Sequence, residues 1–390
     1  MKFKKFAMLI LLAVSFGLFF NACEETTSTG DDPIIESIAP ATGVAGDVIT
    51  ITGSNFGDYD QATCKVYFNN ELAVIKAEGT DIQWFDDEIQ AVVPTRATTG
   101  PVTVVVGDKT SNGVTFTVPS ANPATGLKAT SISDTEVALM WTLSTDENLA
   151  NFQGYWLYVY PEGGTAGTPI AIPKATNKFN VTGLDEGVIY NFDLHAVIDY
   201  NGNNMLSPKA TVKWSPAVRF NINNNLDVIK LYESASDFGS GLALYDASGK
   251  APKTLKVTSG AEWDLGLYTS GGVLQFGSAK SILAKYSSFT GTAKKCEMSS
   301  EYYDVASLND VYDSQALNGS KHTFSEKFVD LNTINTINNA VFIVRTNVPS
   351  WNYAKVMVLN KGGFLQGATG NQYIEVVVSY QSVQGVPYAL

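Results

Sequence analysis

From Pro33 onward the apolar residues recur at every second position in short runs, as in Ile49-Thr-Ile51 and Val102-Thr-Val-Val-Val106, and do not follow a helical period. Such alternation sends successive side chains to opposite faces of an extended strand. Clusters of Gly, Asn, Asp and Pro break the runs at roughly the 8–12-residue spacing of small sandwiches and barrels. The pattern predicts an all-β body with very little helix.

Before that body the pattern is different. Lys2, Lys4 and Lys5 form a basic start, Phe6 to Phe20 is an apolar run, and Ala22 is a small residue just before Cys23. The run falls short of the roughly 20 residues that span a bilayer and reads as a secretory signal. Residues 1–22 are therefore expected to be removed. Phe-Asn-Ala-Cys (20–23) resembles a lipoprotein signal peptidase site, which implies lipid on Cys23 and a membrane anchor. Residues 23–33, with Glu24, Glu25 and a Thr, Ser, Gly and Asp stretch, are polar enough to stay a flexible tether. An acidic pair after the lipidated cysteine resembles the surface-export signal of Bacteroidota lipoproteins, and implies an outer-membrane address facing the cell exterior.

Three units follow the tether. Residues 34–118 hold Ala-Pro-Ala-Thr-Gly (39–43), Gly46-Asp47, Gly53-Ser-Asn-Phe-Gly57, Val66-Tyr-Phe68, Val93-Pro94, Gly100-Pro-Val102 and Val114-Thr-Phe116 in order. This segment resembles the IPT/TIG immunoglobulin-like family. Residues 122–216, entered through a Pro-rich joint, carry Leu127, Val137, Leu139, Trp141, Tyr158, Leu184 and Tyr190 at sandwich spacing. They resemble a fibronectin type III domain, with Trp141 as the buried tryptophan and Leu184 and Tyr190 forming a tyrosine corner. Tyr190, Phe192, Leu194 and Ala196 alternate inward, which turns His195 outward.

Residues 218–390 are the third unit. Ala261-Glu-Trp-Asp-Leu-Gly-Leu-Tyr268 is expected to be a strand, Val341–Thr346 and Tyr353–Val358 a hairpin, and Tyr373–Gln381 a last strand with Ile374, Val376, Val378 and Tyr380 on one face. In this joint order the pieces resemble the HmuY haem-binding lipoprotein family. That resemblance implies a cleft gripping haem between two axial side chains from loops within 285–340. Axial chemistry needs an imidazole nitrogen or a thioether sulfur on each iron face, with aromatic walls. Met298 and His322 are the only methionine and histidine of that stretch. They are the axial candidates, with Tyr302 and Tyr303 as pocket aromatics and Lys294, Lys295 and Lys321 for the propionates. Against this, Met298 reads equally as core filler and His322 as a solvated loop residue.

Composition narrows the functional classes. Without the signal the chain carries 23 basic and 38 acidic residues, a net charge of −15, which disfavours nucleic acid as a partner. His195 and His322 are the only histidines, and no nucleophile elbow, P-loop, zinc motif or dinucleotide fingerprint accompanies them. No enzyme and no metal site is expected. Asp86 and Asp87 lie on an expected turn. Cys64 and Cys296 read as small core residues without a disulfide.

The expectation is a non-enzymatic surface lipoprotein that sequesters haem without covalent chemistry, with an outer-membrane transporter as a partner. Two alternatives stay open. One is a glycan-binding lipoprotein of a polysaccharide-uptake system, with Trp84, Trp351 and the Tyr302/Tyr303 pair as stacking platforms. The other is an adhesive or structural stalk whose aromatics are all core.

Overall fold

The computed structural model describes residues 31–390 apart from 225–226, 258–261, 288, 290–291, 313–321, 348–349 and 389–390. Cys23 and Lys321 lie outside the described residues. The chain is all-β, 52% strand and 5% helix, and forms two compact units divided after Pro119.

The first unit is a two-sheet sandwich. One sheet holds the strands Ile34–Ala39, Val48–Ser54, Glu88–Val92 and Val74–Ile75, and the other Lys109–Thr110, Gly100–Val106, Cys64–Phe68 and Glu71–Leu72, with Val114–Phe116 also on Gly100–Val106. The alternation read from sequence is what packs it: Ile49, Ile51, Val102 and Val104 are fully buried while their strand neighbours are not. Gly53 is fixed by close approach, since a Cβ there would lie 1.9 Å from the Ile34 carbonyl oxygen. Asp86 and Asp87 are exposed on a turn, where the Asp86 carboxylate accepts the Gly57 N–H at 2.9 Å. Trp84 is no platform: it is buried and its indole N–H donates to the Phe56 carbonyl at 3.1 Å. Cys64 is a buried free thiol.

The second unit begins with another sandwich. Thr125–Ser133, Glu136–Thr142 and Lys178–Thr182 form one sheet; Ile170–Ile172, Phe152–Pro161, Tyr190–Tyr200 and Asn203–Leu206, with Ala210–Trp214, form the other. Trp141 is buried against the edge of Tyr155 at 5.7 Å. Leu184 and Tyr190 pack in the same core, and the Tyr190 hydroxyl accepts the Asp185 N–H at 3.1 Å, the hydrogen bond expected of a tyrosine corner. His195 does leave the core, and its Nδ1 lies 2.7 Å from the Ser207 carbonyl oxygen. Its strand neighbour Asp193 is buried under Lys209, Tyr160 and Thr211, all within 2.8 Å.

The third part stacks two antiparallel sheets. The larger runs Val218–Phe220, Tyr373–Tyr380, Asn352–Val358, Asn339–Thr346, Cys296–Val305, Phe324–Ser325, with Lys230–Tyr232 also on Tyr373–Tyr380. The smaller runs Ala251–Leu255, Gly241–Asp246, Leu265–Ser270, Val273–Ser278, Phe328–Asp330. Between them lies a dry core of Leu242, Leu244, Leu267, Phe276, Phe342, Val344, Val356, Ile374, Val376 and Val378. The hairpin is present in register, from Ala340 opposite Val358 to Thr346 opposite Asn352. The strand expected over 261–268 is instead two, Glu262–Trp263 and Leu265–Ser270. Asp264 separates them: its buried carboxylate accepts from the Leu244 N–H and the Thr346 hydroxyl, so this residue ties both sheets together. The single α-helix among the described residues, Ala279–Lys285, covers Trp263.

The second and third parts lie within one compact unit. Only Ser215, Pro216 and Ala217 separate the last strand of the sandwich from the first of the next sheet, and all three are buried. After Tyr380 the chain returns to the sandwich. Gln381, fully buried, donates its amide to the carbonyls of Pro216 at 2.9 Å and Tyr388 at 3.0 Å. Tyr388 packs on Trp214 at 5.3 Å, and the Ser382 N–H meets Glu186 at 3.1 Å. Lys355, also fully buried, donates to the Val311 carbonyl and stands over the Trp214 ring. Replacing Gln381 with leucine leaves those two carbonyls without their donor, each a cost of about 1–3 kcal/mol. Urea unfolding followed by tryptophan fluorescence should show a midpoint well below wild type.

Asp193 gives the sandwich an acid-sensitive element. Burial raises its pKa, but hydrogen bonds from Lys209, Tyr160 and Thr211 outweigh burial and hold the carboxyl below its ordinary value. A depressed carboxylate contributes stability that is complete above its unfolded pKa and is lost as pH falls through the lower folded one. The loss should therefore run downward from about pH 4. In Asp193→Asn, the thermal midpoint should be lower at neutral pH and fall less steeply across that acid range.

Candidate functional site

The four residues proposed as a haem pocket divide between two faces of one sheet. In an antiparallel pair, residues directly opposite share a face. Met298 stands opposite Val344 and Tyr302 opposite Phe342, and both partners belong to the inter-sheet core. Tyr303 stands opposite Val341 on the other face, where Ile343, Tyr353, Phe324 and Trp351 gather. A shift of register between Met298 and Tyr302 preserves this division.

Met298 is fully buried in the hydrophobic core between the two sheets. His322 is buried on the opposite face, with Nε2 3.2 Å from the Tyr303 hydroxyl and Nδ1 3.7 Å from a Glu301 carboxylate oxygen. The two cannot ligate one iron from opposite sides of a porphyrin, because a β-sheet lies between them. Haem held by Met298 and His322 does not fit this arrangement. Met298 belongs to the strand Cys296–Val305, which the sequence reading took for loop. Cys296 is a fully buried free thiol; burial pushes its pKa well up and keeps it protonated.

His322 and Tyr303 are brought together, and the ring of Phe324 stands edge-on to His322 at 6.2 Å. The Arg345 guanidinium stacks on Phe324 at 4.6 Å and on Trp351 at 4.4 Å, and pairs with Glu297. Lys295 stands 5.3 Å from the Trp351 ring. Trp351 is thus covered by two cations. Lys294 is drawn toward the buried Asp264, 3.9 Å away.

A different cluster has the open, polar-edged geometry of a binding surface, and the sequence reading missed it. Phe238 is 53% exposed, on the loop between Lys230–Tyr232 and Gly241–Asp246. Its ring lies 4.7 Å from Tyr232 at 32°, Tyr232 lies 5.2 Å from Tyr373, and Lys230 stands over the Tyr373 ring at 4.6 Å. A surface pocket of about 240 Å³ opens beside them, lined also by Asn223, Asp227 and Thr254.

The loop that presents Phe238 is braced on all sides. The Phe238 N–H donates to the Ser236 hydroxyl, which donates to Asn371, and the Tyr232 N–H donates to the Gly239 carbonyl. Glu233, buried at the loop's start, accepts from the Gln372 N–H at 2.7 Å and the Thr269 hydroxyl at 2.8 Å. A Cβ on Gly239 would lie 2.4 Å from the Leu255 nitrogen, so no other residue fits there without movement. The available sequence signal was a phenylalanine inside the polar run Ser-Ala-Ser-Asp-Phe-Gly-Ser-Gly (234–241).

Comparison with known proteins identifies the first two sandwiches. Residues 33–118 match the IPT/TIG domain and residues 121–213 the fibronectin type III domain. The chain therefore carries one of each, in the order read from sequence. No curated protein matches it. Among solved structures, the fn3 domain of human collagen alpha-1(XX) chain is 19% identical, covering 25% of this chain and 88% of its own, with a TM-score of 0.21. A two-domain fibronectin type III segment from chicken tenascin is 14% identical, covering 47% and 99%, with a TM-score of 0.23.

Proposed function

We propose that this chain is a non-enzymatic, lipid-anchored surface protein that binds carbohydrate through the Phe238, Tyr232 and Tyr373 cluster of its C-terminal part. The observation that carries the reading is the exposed Phe238 ring on a braced loop. Phe238 continues into Tyr232 and Tyr373, and an exposed aromatic cluster rimmed by polar residues is a mark of an interaction surface, while bracing removes the ordering cost that binding would otherwise include. The flat rings offer a face to the C–H groups of a sugar, while Lys230, Asn223, Asp227 and Thr254 offer donors and acceptors to its hydroxyls. In this reading lipid on Cys23 holds one end at the outer membrane, the IPT/TIG domain serves as a spacer, and a bound glycan is delivered to an outer-membrane transporter.

The reading is tested with the soluble chain 24–390 in native gels containing laminarin, xylan or galactomannan. Retardation by at least one is expected; Phe238→Ala should weaken it about tenfold, or ~1.4 kcal/mol, and Phe238→Trp should keep it. Free migration in all three gels, or a Phe238→Ala protein retarded like wild type, would overturn the proposal.

One observation favours haem capture as a second reading. His322, Tyr303, Phe324, Arg345 and Trp351 put an imidazole, aromatic walls and a cation on one face of the sheet. Titration of haemin into the same protein should then give a shifted Soret band that His322→Ala abolishes and Met298→Leu leaves intact. An unshifted band in wild type ends this reading.

A further inference from the structure

Arg219 lies in the strand Val218–Phe220 that leaves the fibronectin type III sandwich, and its guanidinium is partly buried with no carboxylate paired to it. Of its five N–H donors, one meets the Asn309 side-chain oxygen and one the Ser131 carbonyl at 3.1 Å, both neutral acceptors. Its Nε–H is buried and has no acceptor at all. None of the ion pairs of the described residues includes it, and burial alone lowers its pKa. A buried, always-charged group without a counter-ion is costly.

The same side chain lines a surface pocket of about 450 Å³, a volume that accepts a small molecule. Met357, Val377 and Leu308 form an apolar wall, and Ser133, Asn221 and Ser307 provide neutral polar groups. Asp134, exposed and also on the lining, provides one acceptor carboxylate. An anionic pocket would reject a carboxylate and a strongly basic one would suit a phosphate; one buried cation with one exposed acid suits a ligand with a single negative charge and hydroxyl donors.

We propose that this pocket, at the joint of the sandwich and the C-terminal sheet, binds a small hydroxylated monocarboxylate, with the carboxylate on Arg219. Unengaged guanidinium N–H groups receive the carboxylate, the apolar wall receives the carbon skeleton, and Asp134 and the serines receive hydroxyls. The chemistry is shared by a free hydroxy acid and by a uronic acid sugar. The site is separate from the Phe238 surface and stands or falls without it.

Isothermal titration calorimetry on the chain 24–390 tests the proposal with galacturonate, lactate and, as a neutral control, galactose. At least one of the two acids should bind at least tenfold more tightly than galactose. Binding of lactate would identify the free-acid source, and binding of galacturonate alone the sugar source. Arg219→Gln should lose at least tenfold in affinity for the acid that binds. Should that variant fail to fold, Ser133→Trp fills the pocket while leaving the guanidinium in place, and should show the same loss; Phe238→Ala should show none. Binding of neither acid, equal binding of galactose, or undiminished binding by Ser133→Trp would overturn the proposal.

Discussion

The short connection from Trp214 to Val218 constrains everything after it. With three buried residues between two strands, the fibronectin type III sandwich and the C-terminal sheet must meet, and whatever polar groups that meeting buries must find partners there. Gln381 answers part of that demand. One side-chain amide reaches the Pro216 and Tyr388 carbonyls, one from each side of the joint. The terminal residues can then lie back against the sandwich, where Tyr388 caps Trp214.

The joint also determines which surfaces remain for binding. The larger sheet of the C-terminal part is buried on one face by the smaller sheet, so Met298, Phe342, Val344, Val356, Ile374, Val376 and Val378 are committed to packing. Met298 illustrates the consequence. A thioether in mid-strand, paired with Val344, is a core atom whatever ligand chemistry it could perform elsewhere. Groups free to meet a ligand sit instead where strands end and loops begin, as Phe238 does, or where two parts of the unit come together imperfectly, as Arg219 does. At Arg219 the meeting buries a charge and supplies only neutral acceptors.

Strand period and turn chemistry were legible in the sequence, and so was nearly all of the first two domains. Ile49, Ile51, Val102 and Val104 are inside because alternation admits only one inward face, and the hydroxyl of Tyr190 returns to Asp185 because that corner is a local arrangement. The hairpin from Asn339 to Val358 was legible for the same reason. What alternation could not give was the pairing of distant segments. The break at Asp264 depends on Leu244 and Thr346, which lie 20 and 82 residues away. Met298 failed as a ligand on the same ground, since its face follows from a strand, Cys296–Val305, whose sequence Cys-Glu-Met-Ser-Ser-Glu-Tyr-Tyr-Asp-Val has no clean alternation.

Asp264 and Arg219 show that burial of a charge has opposite meanings in different surroundings. Asp264 is enclosed, yet it accepts a backbone N–H and a hydroxyl and has Lys294 within 3.9 Å, so its carboxylate organises the meeting of two sheets. Burial raises its pKa against the pull of Lys294, but every acceptor site it uses is filled from within the fold. Arg219 is less enclosed, lies beside open volume, and has donors that the fold does not fill. A satisfied buried charge is explained by the structure that surrounds it. One beside a pocket with donors left over can be met by a group that enters the pocket, and a carboxylate is the partner whose charge and geometry match a guanidinium best.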